Sequence, residues 1–239
     1  MEAVIHKPVS WRTRGARFET RHPGDTVLGL HRHVESYLAV LIDGAYSEAS
    51  SDGVYWCEPG CVTVHPVLHA HANRFRGTGA RVLNFPCPPG LAGIGEGCRV
   101  LRLGGLSPRT ISGLDLPDLL NALPDATPVS PMAVGALADE AAALIEQHPA
   151  MPVAVVARQL GVSREHLSRA FRRAFGFSPS RYRAERRMRR ALGSLAAHHR
   201  SLSYAALEGG FADHPHFTRT IRAAAGMPPS ILRRWLQRG

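Results

Sequence analysis

The fold of the C-terminal half is decided by residues 153–179, which read VAVVARQLGVSREHLSRAFRRAFGFSP. The same pattern returns in residues 202–229, LSYAALEGGFADHPHFTRTIRAAAGMPP. Gly161 of the first copy pairs with Gly210 of the second at an offset of 49 residues, whereas the residues after this glycine pair at an offset of 50. The second copy therefore carries one additional residue in the turn that follows the glycine. An internal repeat of this length indicates two related structural units.

Each copy predicts two helices joined by a tight turn. The first helix ends at the glycine, because glycine adopts the left-handed conformation of such turns at low cost. Ser163 or Asp213 then caps a second helix. The apolar residues of the second helices fall on one face, which we expect to be the core: Leu167, Ala170, Phe171 and Ala174 in the first copy, Phe217 and Ile221 in the second. The opposite face is polar and carries arginine, as on a helix that lies in the major groove of DNA.

Charge is distributed unequally along the 239 residues. Residues 1–131 carry 12 Lys and Arg against 12 Asp and Glu, whereas residues 132–239 carry 17 Arg against 7 acidic residues. The whole formal net charge of +10 therefore belongs to the second part. A neutral part joined to a basic part is typical of a sensor attached to a polyanion-binding domain. A solvated, arginine-rich surface is the alternative.

Hydrophobic periodicity divides the chain in the same way. In the first 105 residues short apolar runs, such as 37–42 and 82–85, alternate with turn signals, which predicts a small β-barrel or sandwich. From residue 132 onward the apolar spacing is helical. The expected fold class is α+β with two domains: a β-barrel (1–105), a helix and proline-rich linker (106–131) and an all-α domain (132–239). Within the middle segment, we expect a short helix at 114–123 and the linker at 124–131.

The helical part resembles the DNA-binding domain of AraC/XylS-type transcription regulators. The most specific matches lie in Leu167–Pro179 and Gly210–Pro229, and Ser180–Ala197 fits the long helix that joins the two helix-turn-helix units in that family. The resemblance implies double-stranded promoter DNA as the partner. It assigns base reading to Glu165, Ser168 and Arg169 in the first unit, and to His214, Pro215, Thr218 and Arg219 in the second.

The chemistry of these side chains predicts different roles. Arg169 and Arg219 can each bind guanine O6 and N7 in a bidentate manner, and Glu165 can accept a hydrogen bond from cytosine N4 or orient a neighbouring arginine. Arg172, Arg173 and Arg222 are expected to contact phosphates, which set position and not sequence. Pro215 departs from the small polar residue common in the family. It cannot hydrogen-bond a base, so we expect the first unit to be the main reader.

The N-terminal part contains two histidine-rich segments. Residues 29–37, GLHRHVESY, resemble the first cupin motif, and residues 60–71, GCVTVHPVLHAH, resemble the second. AraC-type regulators commonly carry a cupin-like barrel at this position, so the two resemblances agree. Alternation along a strand places His31 and His33 on one face, and His69 and His71 likewise. Four imidazoles in one barrel would suit zinc or another divalent ion.

Two further side chains are candidates for this site. Cupin enzymes place a glutamate several residues beyond the second histidine. Here Glu35 follows His33 by only two residues, with the correct parity, and Tyr37 lies nearer the usual place. Three interpretations of these residues remain open: a structural or sensing metal site, a metal-free effector pocket, and hydrogen-bonded histidines of a closed core.

The expected function is that of a sequence-specific DNA-binding regulator, not an enzyme, which responds to a small molecule or metal ion bound in the cupin-like barrel. One alternative is a metal-dependent cupin enzyme that carries a DNA-binding domain, and another is an RNA- or anion-binding protein without a promoter target. Cys87 and Cys98 are too far apart for the four-cysteine zinc module of methyl-transferring repair regulators, so buried thiols are expected. Without a membrane-length apolar run or a signal-peptide core, we expect a cytoplasmic protein. Cupin-like domains often dimerise, which makes a homodimer a further expectation.

Overall fold

The computed structural model describes residues 17–197 and 200–237. The N-terminal residues on which the signal-peptide expectation rests lie outside these ranges. Among the described residues the chain forms two compact units, one from residues 17–93 and 97–132, the other from residues 94–96 and 133–237. The first unit is an antiparallel sheet with short helices and the second is helical. An N-terminal sheet followed by a helical domain is the coarse fold class that the sequence predicts.

One antiparallel sheet of eight strands forms the described part of the first unit. Its strands are β1 (Phe18–His22), β2 (Val27–Arg32), β3 (Ser36–Ser50), β4 (Gly53–Cys57), β5 (Cys61–His65), β6 (Ala70–Cys87), β7 (Arg99–Arg102) and β8 (Thr127–Pro128). The long strands β3 and β6 pair with each other along most of their length. The first half of β3 also pairs with β5 and its second half with β4. In the same way β6 pairs first with β2 and then with β1.

The two halves of β3 meet at an irregularity beside Gly44. The register with β6 shifts here, as expected where a strand bends. Gly44 has a φ of 84°, and a Cβ at this position would lie 1.8 Å from the carbonyl oxygen of Gly79. Only glycine fits such a close approach of two backbones. The bend allows one pair of long strands to serve two sets of neighbours.

Alternate residues of β3 pack on opposite faces of the sheet. Leu38, Val40 and Ile42 belong to one apolar cluster, which Ile111 and Leu119 complete. The latter two residues come from the helices α2 (Pro108–Gly113) and α3 (Leu116–Ala122), which follow the four-residue helix α1 (Pro89–Ala92). The intervening residues of β3 join a second cluster on the other face: Tyr37, Ala39 and Leu41. This period of two is that of a strand buried on both sides.

The segment between the two domains is more ordered than a free linker. The helix expected at 114–123 is α3, which begins after a capping box at Asp115. Beyond it, β8 pairs with β7, and the backbone N–H of Val129 donates to the carbonyl of Val100 at 2.8 Å. The N–H of Met132 donates to the carbonyl of Val54 at 2.7 Å. Proline lacks the N–H donor, but Val129 between two prolines and Met132 after the last one keep theirs and bind the sheet.

Seven helices build the described part of the second unit. They are α4 (Ala136–Gln147), α5 (Val153–Gln159), α6 (Arg164–Phe175), α7 (Pro179–Ala196), α8 (Leu202–Glu208), α9 (His214–Ala225) and α10 (Pro229–Leu236). The pairs α5–α6 and α8–α9 are the two copies of the repeat. Gly161 and Gly210 in their turns have φ values of 67° and 65°, which confirms the left-handed turn in each copy. No helix within the described ranges is both long enough and apolar enough to cross a bilayer.

The caps and the core of the two second helices are as predicted. The side chain of Ser163 accepts a hydrogen bond from the N–H of His166, and Asp213 caps α9 in the same way. Leu167 and Phe171 of α6 are fully buried. Phe217 and Ile221 of α9 are also fully buried, whereas Ala170 and Ala174 of α6 are only half-buried. Each helix therefore directs its apolar face inward and leaves its arginine-bearing face in solvent.

Candidate functional site

The helices α6 and α9 present arginines that have no partner within the described residues. Six side chains are exposed and make neither a hydrogen bond nor an ion pair there: the five predicted contact residues Arg169, Arg172, Arg173, Arg219 and Arg222, and Arg164 at the start of α6. A guanidinium carries five N–H donors in a planar fork. Because none of these donors is used internally, all remain available to a ligand with acceptor or anionic groups.

The arginines of α7 differ, because several of them are used within the fold. Arg183 donates from Nη1 to the carbonyl of Met151 at 2.8 Å. Arg187 donates from Nε to the carbonyl of Gly209 at 3.1 Å and from Nη2 to that of Gly210. These side chains hold the ends and turns of neighbouring helices. The basic charge of the helical unit therefore falls into a structural group on α7 and an unpaired group that lies mainly on α6 and α9, with Arg158 on α5 and Arg234 on α10 outside these two helices.

The remaining predicted contact residues differ in their exposure to solvent. Glu165 is exposed in the first turn of α6, and Ser168 is half-buried. His214 and Pro215 are exposed at the start of α9, where the missing N–H of proline costs no helical hydrogen bond. Thr218 is recessed: its Oγ1 is shielded from solvent and has no hydrogen-bond partner in the described part of the chain. Along α9, Arg219 is thus better placed for an outside ligand than Thr218.

The first unit contains a second candidate site, a cavity of about 120 Å³ within the sheet. Its walls come from β1, β2, β3, β5 and β6, and they include four of the predicted site residues: His31, His33, Tyr37 and His71. His65 also lines it. The cavity is large enough for an ion with a few waters or for a small polar molecule, since a water molecule occupies about 30 Å³ of liquid.

The structure brings five of the six predicted N-terminal site residues together. His31 lies opposite His71 in the register of β2 and β6, with ring centroids 4.2 Å apart. One ligand atom from each of His31, His33 and His71 lies within 4.8 Å of the others. The Tyr37 hydroxyl is 3.2 Å from Nε2 of His71. His69 joins His71 in a second group of three nitrogens.

Glu35 is the predicted site residue that the structure leaves apart. It lies in a bend between β2 and β3 and is half-buried. It belongs to none of the groups of potential ligands among the described residues. The parity argument fails for this residue, because strand alternation stops at the bend.

The sequence reasoning missed three buried residues beside the cavity: His65, Glu48 and Cys98. Each offers one ligand atom, and the three atoms lie within 4.8 Å of one another. His65 was visible in the second histidine segment, and alternation with Tyr46 along β3 would have directed Glu48 inward. Cys98 precedes β7, 50 residues from Glu48 in the chain, and only the fold brings it close.

Burial determines the charge of these groups. It lowers the pKa of His65, against the opposing influence of Glu48, and it lowers the pKa of His71 well below its ordinary value, with nearby histidines adding to the effect. Burial and the neighbouring Glu48 raise the pKa of the Cys98 thiol well above its usual range. The imidazoles of His65 and His71 are therefore neutral near pH 7 and keep a lone pair each.

Comparison with known proteins gives matches mainly to the helical unit. Residues 156–234 match the family described as a helix-turn-helix domain. A transcriptional regulator with an AraC-type DNA-binding domain from Chromobacterium violaceum is 32% identical over 43% of this chain and 95% of its own, with a TM-score of 0.39. The C-terminal domain of AraT, a response regulator from Geobacillus stearothermophilus, is 24% identical over 43% of this chain and 88% of its own, with a TM-score of 0.41.

Structures of ToxT match the chain over both units. ToxT from Vibrio cholerae is 8% identical, over 92% of this chain and 98% of its own, with a TM-score of 0.42. No curated protein matches the chain.

Proposed function

Because the chain belongs to the AraC family of DNA-binding transcription regulators, we propose that α6 and α9 read promoter DNA and that a small molecule or metal ion bound in the cavity of a cupin-like N-terminal domain controls this binding. The observation that carries the first proposal is the set of six exposed arginines without a partner among the described residues. They lie on the second helix of each helix-turn-helix unit, which is the helix that enters the major groove in this motif.

The two units divide the task unequally. In α6, Arg169 binds guanine, and Glu165 accepts a hydrogen bond from cytosine or orients a neighbouring arginine. Arg172 and Arg173 bind phosphates. A bidentate arginine–guanine contact contributes about 1–3 kcal/mol of discrimination. In α9 the exposed Pro215 has no donor and Thr218 is recessed, so base reading rests on Arg219.

Mobility-shift assays with an operator selected in vitro test this assignment. Arg169→Ala and Arg219→Ala should each weaken operator binding by about 5- to 150-fold, the equivalent of about 1–3 kcal/mol. Their binding to unrelated DNA should fall much less. Arg109→Ala is the matched control, because it removes the same charge from the exposed surface of the first unit. If neither helix variant binds the operator more weakly than this control does, the assignment is wrong.

The effector proposal is supported by the cavity and its lining of imidazole and hydroxyl groups. Its volume of about 120 Å³ suits an ion or a small molecule. Operator affinity should change when the occupant of the cavity is added or removed. The same cavity would suit a metal-dependent cupin enzyme with a DNA-binding appendage, and purified protein that holds no metal would exclude that alternative.

Sedimentation analysis tests the accompanying proposal of a homodimer.

A further inference from the structure

A chain of polar side chains runs beside the cavity of the first unit. Nε2 of His69 lies 3.0 Å from Oδ2 of Asp52, and Nδ1 of His69 lies 3.4 Å from Nδ1 of His65. The other nitrogen of His65, Nε2, is 3.5 Å from Oε2 of Glu48. The second carboxylate oxygen, Oε1, is 3.4 Å from Sγ of Cys98. His65 and Glu48 are 1% exposed and Cys98 is 5% exposed.

When a donor and an acceptor are assigned to each contact in this series of side chains, the contact between His65 and Glu48 is left without a proton. Asp52 accepts only, so Nε2 of His69 donates to it, and Nδ1 of His69 becomes an acceptor. His65 must then donate from Nδ1, which leaves a lone pair on its Nε2. This lone pair faces the carboxylate of Glu48. Two acceptors that face each other in a buried site are unfavourable unless a proton or a metal cation lies between them.

The buried carboxylate has few other partners. Nδ2 of Asn73 approaches Oε2 of Glu48 at 3.4 Å, which is a long, neutral contact. In the part of the chain that the structure describes, no lysine or arginine forms an ion pair with Glu48. A buried carboxylate is normally paired with a cation or coordinates a metal. The thiol of Cys98 donates to Oε1 of Glu48 and the imidazole of His65 faces Oε2, so the carboxylate has no fixed cation beside it among the described residues.

We propose that Glu48, His65 and Cys98 bind a zinc ion. Zinc bonds of about 2.0–2.3 Å at tetrahedral angles separate neighbouring donor atoms by roughly 3.3–3.6 Å. Nε2 of His65 is 3.5 Å from Oε2 of Glu48, and Sγ of Cys98 is 3.4 Å from Oε1. Each separation lies within this range, although they run to different carboxylate oxygens, and one ligand atom from each of the three residues lies within 4.8 Å of the others. One carboxylate and one thiolate together balance the charge of Zn²⁺. A thiolate with an imidazole favours zinc over magnesium or calcium, which prefer oxygen ligands only.

The surrounding residues support the same site. Asp52 and His69 act as positioning residues, because they fix the tautomer in which Nε2 of His65 is free to bind the metal. Glu48 and His65 also line the cavity, so a fourth coordination position opens toward it. On that side His71 lies 4.4 Å from His65 between ring centroids, and its buried Nδ1 has no hydrogen-bond partner among the described residues. This inference rests on the proposed function, since it names the ion that the sensor cavity holds.

Metal titration of the full-length protein, stripped with a chelator, tests the proposal. The wild type should bind one equivalent of Zn²⁺, and with Co²⁺ it should develop a thiolate-to-cobalt charge-transfer absorption. Cys98→Ser should abolish that absorption and lower zinc affinity by more than about 100-fold, beyond the 10- to 100-fold typical of losing an outer-shell residue. His69→Gln should lower zinc affinity by about 10- to 100-fold, because His69 is an outer-shell residue. Cys87→Ser is the matched control, because Cys87 is a thiol of the same unit that contacts Ser36 and not Glu48.

Three results would overturn the zinc site. They are absence of stoichiometric zinc, a wild-type cobalt spectrum without the thiolate absorption, and zinc that survives Cys98→Ser but is lost in His31→Ala. The last result would place the ion at the outer group of His31, His33 and His71. The cobalt spectrum needs no variant, so the proposal stays testable if Cys98→Ser does not fold. Operator binding by the metal-free protein is measured in parallel and tests the DNA-binding proposal separately.

Discussion

Phe171 occupies the centre of the first helix-turn-helix core. It is fully buried, its ring stacks on Phe175 at 4.5 Å between centroids, and it meets Tyr182 edge to face at 5.2 Å. Tyr182 lies on α7, so this one side chain joins the second helix of the unit to the long helix after it. Aromatic pairs of this kind add about 0.5–1.5 kcal/mol beyond the burial of their area.

Phe171→Ala should therefore lower the free energy of unfolding of the helical unit by about 3–5 kcal/mol, because it removes a large buried ring and leaves a cavity. Urea unfolding followed by far-ultraviolet circular dichroism measures the change. Phe171→Leu serves as the control, since it keeps most of the apolar volume and should cost less. A loss below about 1 kcal/mol for the alanine variant would show that this ring does not hold the unit together.

The residue scale also shows what the sequence could predict. Leu167 and Phe171 follow the 3.6-residue period, which places them on the buried face whatever the rest of the fold is. Ser163 was predictable because capping depends on its own side chain and the next three residues. Glu48 and Cys98 were not, because their proximity depends on the pairing of strands far apart in the sequence. Glu35 was misplaced by applying strand parity through a bend.

At the scale of elements, α7 organises the turn of the second unit. Arg187 donates to the carbonyls of Gly209 and Gly210, which end α8 and begin the turn. Its guanidinium carbon also lies 4.9 Å from the ring centroid of Phe211, the next residue of that turn. Since α9 starts only four residues after Gly210, the fork of Arg187 fixes where the second candidate recognition helix begins.

Arg187→Lys should reduce stability by about 1–3 kcal/mol, because one ammonium group cannot reproduce two parallel hydrogen bonds and the contact with the ring. Operator binding should weaken as well, since the start of α9 loses its support. Arg234→Lys is the matched control: Arg234 is exposed on α10 and makes no hydrogen bond or ion pair within the described residues. Equal thermal stability of the two variants would contradict the role given to Arg187.

Elements differ in how far their own sequence defines them. Glycine, serine and aspartate at the turns of the repeat specify both helix pairs locally, so these were predictable. The segment around β8 was expected as a linker, because its prolines are typical of one. Its hydrogen bonds to Val100 and Val54 come from non-proline residues whose partners lie on other strands. Amino-acid composition alone cannot predict such hydrogen-bond partners.

For the whole molecule, the segregation of charge has a consequence that can be measured. The net charge of +10 lies entirely in residues 132–239, and part of it is used internally by α7. The charge that remains for DNA is the exposed, unpaired group, which lies mainly on α6 and α9. Total arginine content therefore overstates the number of phosphate contacts, and the salt dependence of binding should report the unpaired group alone.

Full-length protein should bind DNA with an affinity that falls linearly on a logarithmic salt scale, with a slope of about −0.9 for each phosphate neutralised. Arg172→Ala and Arg222→Ala should each make the slope shallower by about 0.9, and the two changes should add, because the residues lie on separate helices. Fluorescence anisotropy with a labelled duplex over a series of salt concentrations measures these slopes. Arg109→Ala removes the same charge from the first unit and should leave the slope unchanged. If it changes the slope as much as Arg172→Ala does, DNA binding depends on net charge and not on the faces of α6 and α9.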